Sequence, residues 1–150
     1  MVNKELAKLL RKKGNSEWIQ KSETLENKIS DVIKLNLRNL GLDEKDIVDI
    51  MNVIEQEKDN IHIKSISFSY NQLIGNVGVT LIAKKLPHSI SEIGLVDCGI
   101  SDQGGTEILN WMQKSNSLQM ICMEQNNFSD TLKKAFRIFK KENPNIIVVY

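Results

Sequence analysis

The chain holds only two cysteines, Cys98 and Cys122, in 150 residues. That is too few for the disulfide framework of a small secreted domain and suits a reducing compartment. The opening stretch, M-V-N-K-E-L-A-K-L-L-R-K-K, has no continuous apolar run of the kind a secretory signal needs. Nowhere does an uninterrupted apolar run approach the roughly 20 residues that span a bilayer. Charge of one sign is also missing. Twenty basic residues face nineteen acidic ones for a net of +1, so no overall field favours nucleic acid or an anionic membrane. These absences point to a cytoplasmic protein, with delivery into a host cell as an effector left open. At this length the chain makes one ordinary domain with a real core.

What the chain does have is an internal period. Ile90, Ile93, Leu95, Cys98 and Ile100 are spaced as apolar, two residues, apolar, one, apolar, two, Asn or Cys, one, apolar. Ile63, Ile66, Phe68, Asn71 and Leu73 take the same five positions, and so do Leu118, Ile121, Met123, Asn126 and Phe128. A looser copy runs through Val32, Leu35, Leu37, Leu40 and Leu42. The position held by Leu35, Ile66, Ile93 and Ile121 recurs at steps of 31, 27 and 28 residues.

Between these stretches the apolar period changes from two to about 3.6, which predicts alternating strands and helices. The first strand is expected at Lys34–Arg38. Asp43 then caps a helix reaching about Lys58, with Ile47, Ile50, Met51 and Ile54 on its buried side. A second strand over Ser65–Ser69 leads through a tight turn at Gly75–Gly78 to a helix carrying Val79, Leu81, Ile82 and Leu86. Further helices are expected from about Ser101, with Ile108, Leu109 and Met112 inward, and from about Ser129, with Leu132, Ala135, Phe136 and Phe139 inward. Asn143-Pro144 stops the last helix. Adding 28 to Leu118 and Ile121 reaches Ile146 and Val149, which predicts a fifth, closing strand over Ile146–Tyr150.

Residues 1–31 lack the pattern. Leu6, Leu9 and Leu10, followed by Arg11, Lys12, Lys13 and Gly14, form a short amphipathic helix with cations at its end. Ser16 starts a second, with Ile19, Leu25 and Ile29. This segment reads either as a basic amphipathic anchor or as a cap over the open end of a stack. The cap is favoured because a terminal unit must hide its apolar edge.

The periodic stretches resemble the leucine-rich repeat, and their period is similar to that of its ribonuclease-inhibitor-like class. The resemblance covers residues 32–150, with units starting near 32, 63, 90 and 118. Leu40 departs from it at a position where asparagine is expected. The resemblance implies an α/β solenoid in which a concave parallel sheet of four or five strands carries helices on its convex side. It also implies protein recognition through that concave sheet and its adjoining loops. Asn71 and Asn126 are then expected to point inward and bond backbone groups, with Cys98 a smaller substitute. The pleat offers Lys34, Asn36 and Arg38 to a partner from the first unit. The second adds Lys64, Ser65, Ser67, Ser69 and Tyr70, and the third Glu92, Gly94, Val96 and Asp97. Met120, Cys122, Glu124 and Gln125 come from the fourth. Charge along this face runs from basic to acidic, with Tyr70 and Met120 as anchors.

No chemistry emerges to set against that binding role. Gly75-Asn76-Val77-Gly78 lacks the Gly-Lys-Ser/Thr ending of a phosphate loop. No Ser-His-Asp or Cys-His-Asn ordering is present. His62 and His88 have no thiol or carboxylate ligand set and read as surface histidines. The carboxylates Asp43, Glu44 and Asp46 suit a helix start, and Cys98 and Cys122 fall on opposite faces of the sheet. No catalytic residue, metal or cofactor is assigned. The function expected is a non-catalytic protein-interaction module, as a scaffold, an assembly factor or a bacterial effector, with a protein partner of unspecified identity. The alternative is a nucleic-acid-binding accessory role for basic residues at the ends, such as Lys133-Lys134 and Lys140-Lys141. A solvated helix face is the favoured account of those pairs, since they lie on a helix whose apolar face explains the spacing.

Overall fold

The computed structural model describes residues 2–26, 32–59 and 62–150. Two helices come first. In α1, Val2–Lys13, Leu6, Ala7 and Leu10 are buried along one stripe, and Arg11, Lys12 and Lys13 complement the carbonyl end of the helix. The second helix, α2, Ser16–Glu26, is capped by Asn15 rather than by Ser16, because the Asn15 side chain accepts the Trp18 N–H at 2.8 Å. It buries Trp18, Ser22 and Leu25 and leaves Ile19 on the surface. The expected role of Ile29 lies outside the described residues, as does the junction at residue 31.

Strands and helices then alternate: β1 Val32–Asn36, α3 Glu44–Gln56, β2 His62–Ser67, α4 Gly75–Lys85, β3 Glu92–Gly94, α5 Asp102–Lys114, β4 Met120–Cys122, α6 Asp130–Glu142 and β5 Ile147–Val149. The five strands form one sheet in the order β1-β2-β3-β4-β5, and every neighbouring pair is parallel. Helices follow the same sequence order, with α1 against α3, α3 against α4, α4 against α5 and α5 against α6. The fold is therefore α/β, with six helices on a five-stranded parallel sheet among the described residues.

The register explains why the pieces assemble this way. Leu35, Ile66, Ile93 and Ile121 pair in one continuous row that ends on Val148, and all five are buried. Each such side chain contributes about 1.5–3 kcal/mol when shielded from water. Against that row lie the helix stripes Ile47, Ile50, Met51 and Ile54, then Val79 and Ile82, then Ile108 and Met112, then Leu132, Phe136 and Phe139.

Turns are held by polar side chains that reach the preceding unit. Asn71 accepts the N–H groups of Leu40 and Leu42 at 2.9 and 3.1 Å and donates to the carbonyls of Leu37 and Phe68 at 2.9 and 2.6 Å. Asn126 repeats the arrangement two units further on, with Cys98, Ile100, Leu95 and Met123 as its partners. Cys98 stands between them, its thiol donating to the Phe68 carbonyl at 3.3 Å. Leu40 needs no such group, since no β-strand turn precedes it among the described residues. Its carbonyl instead accepts the Trp18 indole N–H at 2.6 Å.

Helix starts are also shared. Asp43 and Asp46 form a capping box on α3. Ser101 does not cap α5 with its own side chain; Asn76 of α4 accepts the N–H groups of Ser101 and Gly104, both at 3.0 Å. Asp102 of α5 in turn takes the N–H and hydroxyl of Ser129, the cap of α6.

Several sequence expectations shift by a residue or two. The first strand is Val32–Asn36, and Arg38 lies in the turn after it. Gly75–Gly78 forms the first turn of α4 itself. Leu73, expected inside, is 70% exposed, and Ile74 at 1% takes its place. The reason is a turn at residues 72–73, closed by the Ile74 N–H on the Asn71 carbonyl at 3.1 Å, which delays the inward residue by one. At the far edge Val148, not Val149, pairs with Ile121. A one-residue slip reverses a strand's faces, so Val149 turns outward and Val148 is buried.

Candidate binding face

Two rows of side chains flank the buried row and point away from the helices. One row is Lys34, Ser65, Glu92, Met120 and Ile147, and the other is Asn36, Ser67, Gly94, Cys122 and Val149. All of them are exposed or half-buried, whereas the row between them is buried. A bulge between β1 and β2 shifts the pairing from Ile33–Ile63 to Lys34–Ser65, which leaves Lys64 outside both rows though still exposed.

Beyond the strands, the backbone ladder continues through the turns. Leu37, Phe68, Leu95 and Met123 donate to the carbonyls of Ser67, Gly94, Cys122 and Val149 at 2.7–2.8 Å. Each turn then places a non-glycine residue in the left-handed region: Asn39, Tyr70, Asp97 and Gln125, with φ from 50 to 64°. Non-glycine residues adopt this conformation at a cost of roughly 1 kcal/mol or more.

Two concavities result. The larger, about 620 Å³, lies at the turns and is lined by Arg38, Asn39, Tyr70, Gln72, Leu73 and Asp97, with Gly41 and Asn71 behind them. The Arg38 guanidinium sits over the Tyr70 ring, 5.0 Å from its centroid, and Gln72 donates to both Asp97 oxygens at 2.9 and 3.1 Å. Tyr70 (39% exposed) and Leu73 give this concavity an apolar side. The smaller, about 250 Å³, lies on the sheet face around Gly94.

Of the residues expected to meet a partner, Arg38, Ser67, Ser69, Glu92, Val96, Met120, Cys122 and Glu124 come together around the smaller concavity, and Arg38, Tyr70 and Asp97 around the larger. Lys34, Asn36 and Lys64 are exposed on the sheet but line neither. Ser69 is the correction: at 3% exposure it is buried, because its hydroxyl accepts the Val96 N–H at 3.1 Å and meets the Ser67 hydroxyl at 3.3 Å. Sequence reasoning passed over Asn39, Gly41, Gln72 and Leu73. Asn39 and Gly41 adopt left-handed backbone in the turn, which is visible only once that turn is known, and Gln72 and Leu73 sit in the turn that follows Asn71.

The two thiols are free and face different environments. Burial pushes the Cys98 thiol up to about 12, while Cys122, half-buried on the sheet face, is raised by desolvation and then by the nearby Glu124 charge. His88 is occupied in stacking on Trp111, ring centroids 5.8 Å apart. Among the described residues no group of three or more His, Cys, Asp and Glu side chains is placed to hold a metal ion. No helix among them is long and apolar enough to cross a membrane.

Strand order, parallel pairing and the placement of the helices define an α/β protein with a parallel sheet laid down in sequence order. No protein-family model matches the chain, and no curated protein matches it.

Proposed function

We propose that the chain is a short leucine-rich-repeat solenoid, similar to the ribonuclease-inhibitor-like class, and that it acts as a non-catalytic protein-binding module. Its binding surface is the sheet face opposite the helices together with the turns that follow the strands. The observation that carries this reading is the pair of outward rows, which keep cross-strand register over neighbouring strands without any described element packed over them. Register of this kind gives a rigid surface, and preorganised surfaces lose little ordering entropy on binding. Tyr70 and Met120 supply the contact area of an anchor, and Arg38, Glu92 and Glu124 supply orientation. The test is affinity capture from native lysate with the chain as bait. Tyr70→Ala, Glu92→Lys and Glu124→Lys are expected to lose a partner that the parent chain retains. Retention of every partner by all these variants would remove the sheet face from consideration.

A second reading has one observation in its favour. Helix α6 carries Lys133, Lys134, Arg137, Lys140 and Lys141, and none of them is in an ion pair among the described residues. A basic helix face of this kind supports contact with nucleic acid through phosphate charge. Binding to short RNA or DNA that weakens steeply with added salt would support it, and no binding at low salt would dismiss it.

A further inference from the structure

Along the outward row Asn36, Ser67, Gly94, Cys122, Val149, only Gly94 has no side chain. The space is not empty of chemistry. A Cβ at Gly94 would lie 2.5 Å from the Ser67 hydroxyl oxygen and 2.9 Å from that of Ser69, so both hydroxyls lean into the gap. Around it the concavity of about 250 Å³ is walled by Glu92, Val96, Met120, Cys122 and Glu124. Small-molecule sites generally run from about 300 to 1,000 Å³, so this one suits a single side chain better than a free ligand.

Charge specifies which side chain. Glu92 and Glu124 are both half-buried, and neither is in an ion pair among the described residues. The Oε2 atom of Glu124 is buried with no hydrogen-bond partner among them. An unpaired buried carboxylate oxygen is costly, and a donor that reaches it recovers part of that cost. Because the terminal torsion of glutamate is soft, either oxygen can turn to meet the donor. Arg38 lines the same concavity but is held over Tyr70 at the β1 end. It forms no ion pair with Glu92 or Glu124 among the described residues, so both carboxylates keep their capacity for a further cation.

We propose that the gap over Gly94 receives a lysine or arginine side chain from a protein partner, its cation held by Glu92 and Glu124 and its aliphatic stem laid along Val96 and Met120. Lysine and arginine suit such a site because they bury their methylene stems while keeping the charged head at a polar rim. The hydroxyls of Ser67 and Ser69 line the floor, and two half-buried carboxylates repel an anionic or phosphorylated side chain. This inference rests on the reading of the sheet face as a protein-binding surface and names the chemistry of what it binds.

The experiment is an amide-resolved NMR titration of the full chain with N-acetyl-arginine amide, N-acetyl-lysine amide and, as a neutral control, N-acetyl-glutamine amide. Either cationic probe is expected to bind with a dissociation constant on the order of millimolar. Shifts should centre on Gly94, Cys122 and Glu124. Glu124→Gln should weaken that binding at least fivefold while the rest of the spectrum stays that of the folded chain. Equal shifts with the glutamine probe, shifts scattered over the surface, or titrations unchanged by Glu124→Gln would overturn the proposal. The capture assay separates the two levels of the argument. If a partner is lost with Tyr70→Ala but kept with Glu124→Gln, the binding face stands and the cation site falls. If it is kept with both, both fall.

Discussion

At the scale of single residues, Asn71 does the most for this fold. It is 1% exposed, and its amide satisfies two donors and two acceptors of buried backbone in adjoining turns. Removing it leaves the Leu40 and Leu42 N–H groups and the Leu37 carbonyl without that partner, while the Phe68 carbonyl keeps the Cys98 thiol, and each orphaned group costs about 1–3 kcal/mol before relaxation. Asn71→Ala is expected to destabilise the chain by roughly 3–5 kcal/mol in urea unfolding, while Asn36→Ala, on the exposed face, should stay within about 0.5 kcal/mol. Similar losses from the two variants would mean that these turns hold without the amide. The thiol of Cys98 does the same work less completely. Burial keeps it protonated, so it can donate to the Phe68 carbonyl, but it lacks the second donor and the strong acceptor of an amide. The ring of side chains that the sequence pattern suggested is present, and its geometry adds what spacing does not state: each member chiefly serves the turn before its own.

Among the elements, α1 and α2 decide how one end of the sheet is closed. Arg11 pairs with Glu26 between them at 2.7 Å, and Lys13 reaches Asp46 of α3 at 2.5 Å. The Arg11–Glu26 pair is exposed and contributes little, whereas Lys13 meets a carboxylate that is itself buried. The firmer tie is Trp18, which is 5% exposed and donates its indole N–H to the Leu40 carbonyl. Trp18→Phe keeps most of the buried area and loses that bond, for an expected cost of about 1–2 kcal/mol. Trp18→Ala loses the area as well and should cost about 3–5 kcal/mol. Denaturation midpoints that rank the two variants equally would show that the hydrogen bond, not the packing, holds α2 in place. The amphipathic stripe on α1 and the cations at its end were legible in the sequence. The contact between Trp18 and Leu40 was not, because it joins residues 22 apart through a direction only packing supplies.

In the whole molecule each strand–helix unit touches mainly its neighbours in sequence, so protection from opening depends on position. Interior strands have partners on both sides; the ends have one. Hydrogen exchange is therefore expected to be slowest at Ile66, Ile93 and Ile121 and faster by at least an order of magnitude in α1 and α2. Uniform protection across the chain would mean that it opens only as one body.

The sequence by itself determined that strands and helices alternate, that Leu35, Ile66, Ile93 and Ile121 are equivalent, and that the intervening helices bury one stripe. These follow from local periodicity, which hydrophobic spacing records directly. Tertiary structure alone decided that Ile74 rather than Leu73 turns inward, that Val148 rather than Val149 joins the buried row, and that Ser69 is covered while Tyr70 is not. Those outcomes depend on single-residue offsets in turns and on hydrogen bonds between neighbouring units. Because a strand reverses its faces with every residue, such an offset decides what is buried without disturbing the period that announces the strand.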